Sequence, residues 1–385
     1  MAASAPLRCL IVGAGPTGSV CSKAMRAALA ARAGGRDVEV CVWDKGRGPG
    51  GRMSTSRARG DGTRRADLGA QYLTMHGDGN KAWYSELEEA GVIVPLSGDI
   101  EGQRADQAEH RSFVAPAGMG AVVKHLAKDA GVVSGARVSS LDADGGRWLV
   151  GVEGRSEREA FDCVVLTVPT PQVLALAGGV AGVLSASGAS AALAGVEFSA
   201  RYALALWWEP SDTAALLDAV PWTGRYVGRG DSDSLRYLSF EPRKRRAVDA
   251  TGRGLLPGSD PPAMVAHTSV SFGAEHLEEG FDDVTPGLLA EVRRLVPGLP
   301  DPAEVRCHRW RYSQVTRGAG AAAAAAGVAV AGPGGDDQSS DAAWLIPGCP
   351  PLVVAGDAMA ESNLDGTIRS GETAARKALE ALLRA

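Results

Sequence analysis

No two cysteines in this sequence stand at a CxxC spacing. The six present, Cys9, Cys21, Cys41, Cys163, Cys307 and Cys349, are scattered along 385 residues, three of them in or beside apolar runs. Such a pattern reads as buried free thiols in a reducing compartment, and it gives no metal site. Long hydrophobic runs are missing too. The stretch AAAAAAGVAVAG at 321–332 is short, rich in Ala and Gly, and followed by GDDQSSD, so it reads as an inserted flexible loop and not as a membrane span. Basic residues are not in excess: a formal charge of -5 argues against a general nucleic-acid binder. Only about seven residues precede the first apolar stretch, which leaves no room for a secretory or transit signal. A cytoplasmic location is the expectation.

What the chain has in quantity is glycine, 50 residues of it, many clustered in loops, with an apolar fraction of 45%. A chain of this length buries a large core, as two domains or as one with an insertion.

The first motif lies near the start. LRCLIV, with β-branched Ile11 and Val12, reads as a buried strand. Gly13-Ala14-Gly15-Pro16-Thr17-Gly18 follows as GxGxxG, and SVCSKAMRAALAA continues as a helix. In that context Gly13 permits the tight turn, Gly15 lets a pyrophosphate approach the backbone, and Gly18 lets strand and helix pack closely. Pro16 suits an early helical position, where its missing N–H is no loss. A second strand, VEVCVW at 38–43, ends at Asp44, placed to accept hydrogen bonds from an adenosine ribose. Strand, turn, helix, strand and acid in that order predict a dinucleotide site.

After Asp44 the sequence runs into Lys45-Gly46-Arg47-Gly48-Pro49-Gly50-Gly51-Arg52-Met53, a Gly-rich basic loop where a simple NAD domain would usually continue to another βα unit. Gly50-Gly51 permits close backbone approach, and Arg52 offers a guanidinium fork to a phosphate. DKGRGPGGRMST, together with ADLGAQYLT at 66–74, resembles the FAD-binding start of the amine-oxidase-like flavoproteins, and among them most resembles the renalase family. FDCVVLTVPTPQVL (161–174), HRWRYSQV (308–315) and PLVVAGDAMAESNLDGTIRSGETAARKAL (351–379) carry the same resemblance through the middle and end of the chain.

The resemblance implies an α/β protein: a Rossmann-like FAD-binding domain with a second α+β substrate domain, of amine-oxidase or p-hydroxybenzoate-hydroxylase-like architecture. The FAD domain is expected to be discontinuous, over 1–74, 111–173 and 345–385, with 75–110 and 174–344 forming the substrate domain. Non-covalent FAD is the implied cofactor. Its expected contacts are Gly13, Gly15, Pro16, Thr17, Gly18, Asp44, Lys45, Gly51, Arg52, Met53, Gly69, Ala70, Gln71, Gly356, Asp357, Asn363, Asp365 and Gly366. Between these segments, Asp144-Gly145-Gly146 reads as a hairpin turn, and 285–296 as a helix capped by Thr285. EPRKRRAVDATGRGLLPGSDPP (241–262) reads as a polar loop whose basic run is solvated.

The implied activity is oxidation of aberrant dihydronicotinamide isomers, reduced at ring position 2 or 6, to β-NAD(P)+, with O2 as acceptor and hydrogen peroxide formed. The expected partners are therefore a dihydronicotinamide dinucleotide and oxygen, with no nucleic acid or membrane, and the expected state is a monomer. Hydride transfer to a flavin asks the protein to position the ring and shape the cavity, and no triad or metal is needed. Gln71 and Tyr72 are the first substrate-side candidates, then Arg309, Trp310, Arg311 and Gln314, with Asn363 in the closing segment. Each has a plainer reading: a buried aromatic for Tyr72 and Trp310, an ion pair or flavin contact for Arg311, a cap or turn for Asn363 and Asp365. His267 and His308 read as core histidines before cavity residues, and at most one of Trp207 and Trp208 faces a cavity. Amine oxidases of this fold commonly use a mid-chain lysine, water-bridged to the flavin. Here Lys244 is the sole lysine between Lys128 and Lys377, and its place in a polar run weighs against an amine oxidase, which with another small-molecule flavin oxidoreductase is the alternative function. A protein that holds FAD structurally or serves as a signalling ligand is the non-enzymatic alternative.

Overall fold

The computed structural model describes residues 5–32, 34, 36–105, 109–245, 262–327 and 342–384. The chain forms two compact units, Met1–Gly51, Val123–Glu197 and Val315–Ala385 in one, and Arg52–Val122 and Phe198–Gln314 in the other.

The first unit is built on a six-stranded sheet in the order Ala343–Ile346, Leu352–Ala355, Cys163–Leu166, Leu7–Val12, Val38–Asp44 and Val133–Ser134. All neighbours are parallel except the first pair. Cys163–Leu166 and Leu352–Ala355 are buried at every position. Continuous apolar runs such as CVVL and LVVA are what a parallel strand covered on both faces requires. The helices Pro16–Ala30 and Leu364–Arg384 pack on this sheet and on each other. Their core includes Cys21, Met25, Ala374 and Ala378, together with Cys9 and Cys163. The expected hairpin joins Val138–Asp144 to Arg147–Val152, with Gly145 and Gly146 at φ 55 and 76, the values a two-residue type I′ turn needs.

The second unit carries another six-stranded sheet, ordered Glu304–Arg317, Glu197–Trp207, Ala263–Thr268, Leu235–Phe240, Gly224–Tyr226 and Ile100–Glu101. Strand alternation divides its two faces. Tyr202, Leu204, Leu206 and Trp208 pack with Val284, Leu288 and Val292 of the helix Phe281–Leu295. Ala203, Ala205 and Trp207 look the other way, onto Ala58, Ala66 and Leu68 from the Thr55–Ala58 and Asp61–Asp67 hairpin and its exit.

Several expectations are corrected here. Residues 52–74 and 111–122 belong to the second unit, because the Ala58, Ala66 and Leu68 side chains lie in its core. The described residues of 174–197, 315–327 and 342–344 belong to the first. The Ala-rich stretch is not simply a loop. Ala319–Ala325 is a helix with Ala319, Ala322 and Ala323 buried, and only small side chains allow the close approach of Ala322 to Gly195. The remainder of that stretch, from 328, lies outside the described residues. The helix predicted from Thr285 starts at Phe281. Val284 must be inside it to join Leu288 and Val292 in the core, and Asp283 accepts the Gly280 N–H at 3.2 Å to close its first turn. Thr285 donates instead to the Phe281 carbonyl. Trp207 and Trp208 do face opposite sides of their strand, but both are fully buried.

The basic run at 241 is the largest correction. Glu241–Lys244 is a helical turn, and Glu241, Lys244 and Arg245 are all buried. Residues 246–261 lie outside the described set.

Candidate functional site

In the first unit, Gly15 ends the turn after the opening strand, and Pro16 starts the helix, with Thr17 buried at its second position. Gly13 donates its N–H to the Trp43 carbonyl. A Cβ on Gly18 would lie 1.9 Å from the Gly13 carbonyl oxygen, so that glycine is demanded by the protein's own packing. A Cβ on Gly15 would meet nothing within 4 Å, so packing within the chain does not demand glycine there. An open approach to backbone N–H groups at a helix start is the arrangement an anionic phosphate needs.

Asp44 closes the second strand and clamps this turn. Its Oδ2 accepts the Ala14 N–H and its Oδ1 the Gly46 N–H, each at 2.6 Å. A carboxylate has about four lone-pair sites, so two bonds leave capacity for ribose hydroxyls. Gly50 donates to the Ala14 carbonyl, which brings Gly51 against Gly15. Lys45 reaches away, to Gln172 Oε1 at 3.1 Å.

The closing segment belongs to the same unit. Gly356 donates to Ser370 Oγ at 2.8 Å, and Asp357 accepts from Ser362 Oγ at 2.7 Å. Asn363 Oδ1 accepts the Gly366 N–H at 2.7 Å, so Asn363 caps the helix Leu364–Arg384, and Asp365 is buried in its first turn. The residues fit an adenine dinucleotide: an open glycine at a helix start and an acid at the end of the second strand.

In the second unit, the turn Asp67–Tyr72 is the focal element. A Cβ on Gly69 would lie 1.8 Å from the Arg52 carbonyl oxygen, and Ala70 donates to that same oxygen at 3.0 Å. Arg52 in turn donates to the Ser313 carbonyl, and Met53 is buried. The Gln71 carboxamide is fully engaged. Its Nε2 donates to the Asp67 and Gly69 carbonyls, and its Oε1 accepts from Ser239 Oγ at 2.6 Å and Lys244 Nζ at 3.2 Å. Gln71 therefore holds the turn and has no polar atom left over for a ligand.

Behind the turn lies a buried ionic cluster that the sequence did not reveal. Lys244 Nζ also pairs with Glu241 at 2.7 Å and Asp67 at 3.1 Å, and Arg245 pairs with both carboxylates. Burial pushes the Asp67 carboxyl up, but Lys244 and Arg245, with bonds from Thr55 and the Met119 N–H, hold it below the usual range. The three N–H donors of the Lys244 ammonium have three acceptors.

The part of the sheet face beside this turn is aromatic, and its titratable rings are neutral. Tyr72 and Tyr226 share a hydroxyl–hydroxyl bond of 2.6 Å, and the Tyr226 ring meets Tyr237 at 4.9 Å between centroids. Burial, then the Tyr226 bond, raises the Tyr72 phenol, and burial raises Tyr237, so both stay protonated. His267 stands 3.0 Å from the Leu68 carbonyl through Nε2; a carbonyl only accepts, so Nε2 carries the proton. Burial brings this imidazole down to about 4, with Arg201 and Lys244 acting the same way, so it is neutral at pH 7. Trp310 donates to the same carbonyl at 2.8 Å and has His308 against its ring at 4.2 Å. Burial lowers His308 as well.

Of the substrate-side candidates, Gln71, Tyr72 and Trp310 thus lie in one neighbourhood, joined by His267. Arg311 does not. It follows Trp310 on a strand and so points to the opposite face, where it makes a bidentate pair with Glu278 at 2.7 and 2.9 Å at the surface. Arg309, on that same face, donates to the Leu277 and Glu279 carbonyls. Gln314 lies on the Trp310 face, 3.4 Å from Arg201. Asn363 belongs to the other unit. Among the described residues no helix is long and apolar enough to cross a membrane.

The family model described as flavin containing amine oxidoreductase matches residues 81–379, and the NAD(P)-binding Rossmann-like domain matches 11–87. Renalase from Mus musculus is 32% identical over 368 residues, covering 94% of this chain and 96% of that protein. The fold is that of the cyclohexylamine oxidase from Brevibacterium oxydans (TM-score 0.64, 13% identity, 98% of this chain and 99% of that one). It is also that of putrescine oxidase bound to putrescine (TM-score 0.59, 14% identity, 98% and 100%). The chain belongs to the flavin containing amine oxidoreductases, as a renalase-like, FAD-dependent oxidoreductase.

Proposed function

We propose that this oxidoreductase oxidises dihydronicotinamide dinucleotides reduced at ring position 2 or 6 to β-NAD(P)+, with O2 reduced to hydrogen peroxide. FAD, when bound, would supply the redox chemistry, a two-electron oxidation of the substrate coupled to reduction of oxygen. Gly13, Gly15, Pro16, Thr17, Gly18 and Asp44 would hold its diphosphate and adenosine ribose. Gly51, Arg52, Met53, Gly69, Ala70, Gly356, Asp357, Asp365 and Gly366 would form the remaining contacts, with Asn363 capping the last helix. Lys45, bonded to Gln172, is left out of this set.

The observation that carries the reading is the neutral aromatic face. Tyr72 and Tyr237 stay phenolic, Tyr226 bonds to the first and packs on the second, His267 stays an imidazole, and Trp310 walls the same turn. A flat, uncharged dihydropyridine ring packs on such a surface, and its oxidation requires orientation but no base. Gln71 acts as a positioning residue, locking the turn that presents Tyr72.

Amine oxidation is the second reading, favoured by the description of the matching family model. Lys244 is buried beside Gln71, so a solvated basic run does not weigh against an amine. What weighs against it instead is that all three ammonium donors are engaged within the protein, which leaves none for a water-bridged role.

Anaerobic stopped-flow reduction, read at the oxidised-flavin band at about 450 nm, decides between them. Bleaching by the 2- and 6-dihydro isomers and not by 4-dihydro NAD(P)H or amines, reversed by air with peroxide release, is the expected result. Fast bleaching by an amine would replace the first reading with the second.

A further inference from the structure

Two arginines gather at the Leu235–Thr268 end of the sheet that carries Tyr237 and His267. Arg201 lies on the strand Glu197–Trp207, two residues before Ala203, which is the register partner of His267. Its guanidinium donates to the Thr268 carbonyl at 2.9 Å and to Gln314 Oε1 at 3.4 Å. Arg236 is the extra residue of a bulge: Leu235 pairs with Thr268 and Tyr237 with His267, so Arg236 has no partner across the ladder. Bulges re-aim side chains, and here the Arg236 guanidinium turns back to the Ser232 and Leu235 carbonyls. Each guanidinium thus bonds a main-chain carbonyl of the Leu235–Thr268 pair, one from either side of that pairing.

Among the described residues neither Arg201 nor Arg236 has a carboxylate partner. In the same unit Arg64, Arg225, Arg245, Arg306 and Arg311 each have one, while Arg243 and Arg309, like this pair, bond to main-chain carbonyls. Among the described residues, the Arg201 and Arg236 guanidiniums bond to main-chain carbonyls and one side-chain amide. Burial, and then the nearby charge of Arg236, lowers the Arg201 pKa, so the two like charges feel each other.

We propose that Arg201 and Arg236 form an anion subsite that takes a phosphate group of the dinucleotide substrate. An anion between the two guanidiniums removes their mutual repulsion and supplies a counter-charge that the described residues do not. The inference rests on the reading of the substrate as a dinucleotide and gives that reading a means of choice: a dinucleotide carries a diphosphate, whereas an amine carries none. A paired guanidinium site repels a cationic amine and attracts a phosphate through charge-assisted, bidentate bonds.

The test uses the FAD-loaded protein and equilibrium titration calorimetry with inorganic diphosphate, NAD+, NADP+ and N-methylnicotinamide as probes, on the native chain and on R201Q and R236Q. Losing one charge-assisted contact weakens binding by roughly 10- to 100-fold. The expected result is a loss of that size for diphosphate and NAD+ in each variant, with N-methylnicotinamide binding unchanged. A loss confined to NADP+ would support a phosphate subsite and assign it to the 2′-phosphate. Native affinity for all three phosphate-bearing probes in both variants would overturn the proposal, as would an equal loss for N-methylnicotinamide. Where a glutamine variant does not retain flavin, R201K or R236K is read in its place. The lysine keeps the charge but not the fork, and an intermediate loss is expected. If diphosphate binding depends on both arginines while no dihydronicotinamide bleaches the flavin, the subsite stands and the substrate reading falls.

Discussion

His267 and Trp310 share one acceptor. The imidazole Nε2 and the indole Nε1 converge on the carbonyl oxygen of Leu68, at 3.0 and 2.8 Å. Two rings from different strands are thereby fixed to the turn that precedes Gly69, and that turn is gripped from behind by Lys244 through Gln71 and Asp67. The aromatic surface and the buried ionic cluster are thus two sides of one device that holds residues 67–72 still.

The first prediction concerns pH. Folding lowers the His267 imidazole to about 4, chiefly by burial, so as pH falls the unfolded chain takes up the proton first. Stability is unaffected by this group above its unfolded value of about 6.5, declines from there toward pH 4, and levels off below. The full shift corresponds to about 3 kcal/mol, less what the ring's partial solvent contact removes. Urea unfolding of the native chain and of H267N at pH 7 and pH 5 should show the native chain losing more stability than the variant. Equal losses would mean that His267 is not held neutral by the fold.

The two turn glycines should separate cofactor binding from folding. Gly18→Ala drives a Cβ to within 1.9 Å of the Gly13 carbonyl oxygen, and overpacking of this kind costs about 1–3 kcal/mol in the apoprotein. Gly15→Ala meets no protein atom within 4 Å, and its φ of -78 suits alanine. Its apoprotein should melt as the native one does while FAD binding weakens at least about tenfold, because a methyl group then stands where the backbone meets the diphosphate. Thermal melts of the deflavinated proteins, with fluorescence titration of FAD, measure both.

Lys244→Met should destabilise the protein by about 3–5 kcal/mol, since it leaves the Asp67 and Glu241 carboxylates buried with only Arg245 to compensate. Asp67→Asn in the same background should cost much less than it does alone. A denaturation double-mutant cycle that gave additive losses would contradict a direct Lys244–Asp67 pair. The sign with pH follows from the depressed Asp67 carboxyl: its contribution is present above the unfolded value of about 3.9 and is lost as pH falls through the lower folded one.

How much of this is legible in the sequence depends on the range of the interaction. The strand–turn–helix at Gly13–Gly18 and the Gly145–Gly146 hairpin follow from local patterns fixed by neighbours a few residues away, and Asp44 is legible because it ends the very next strand. Lys244 departs from its local pattern because charge runs are ordinarily solvated, and its partner Asp67 is 177 positions distant. Nothing near Lys244 in the chain announces that carboxylate. The domain limits are displaced for a similar reason: Ala58, Ala66 and Leu68 are committed to a core whose other half begins at Ala203. For Arg311 a readable signal exists. A strand alternates its faces, so Trp310 and Arg311 cannot both look toward one ligand.

That alternation supplies the last prediction. Arg311 is exposed, and its Glu278 partner is more so, with 77% of the glutamate side chain accessible to solvent. An exposed ion pair contributes about 0–1 kcal/mol even when bidentate, because water screens it. Arg311→Ala should therefore leave the denaturation midpoint nearly unchanged and alter substrate-dependent flavin reduction by less than about threefold, a shift of roughly 0.6 kcal/mol in the barrier. Trp310→Phe, one residue away, removes the donor to Leu68 and leaves that carbonyl to His267 alone. It should slow reduction by about tenfold or more, the effect of losing a fixed wall and about 1–1.5 kcal/mol of hydrogen bonding. Stopped-flow traces of the two variants under one set of conditions make the comparison. A larger defect in Arg311→Ala than in Trp310→Phe would place the ligand on the other face of the strand, and with it every role assigned to Tyr72, Tyr237 and His267 would have to be withdrawn.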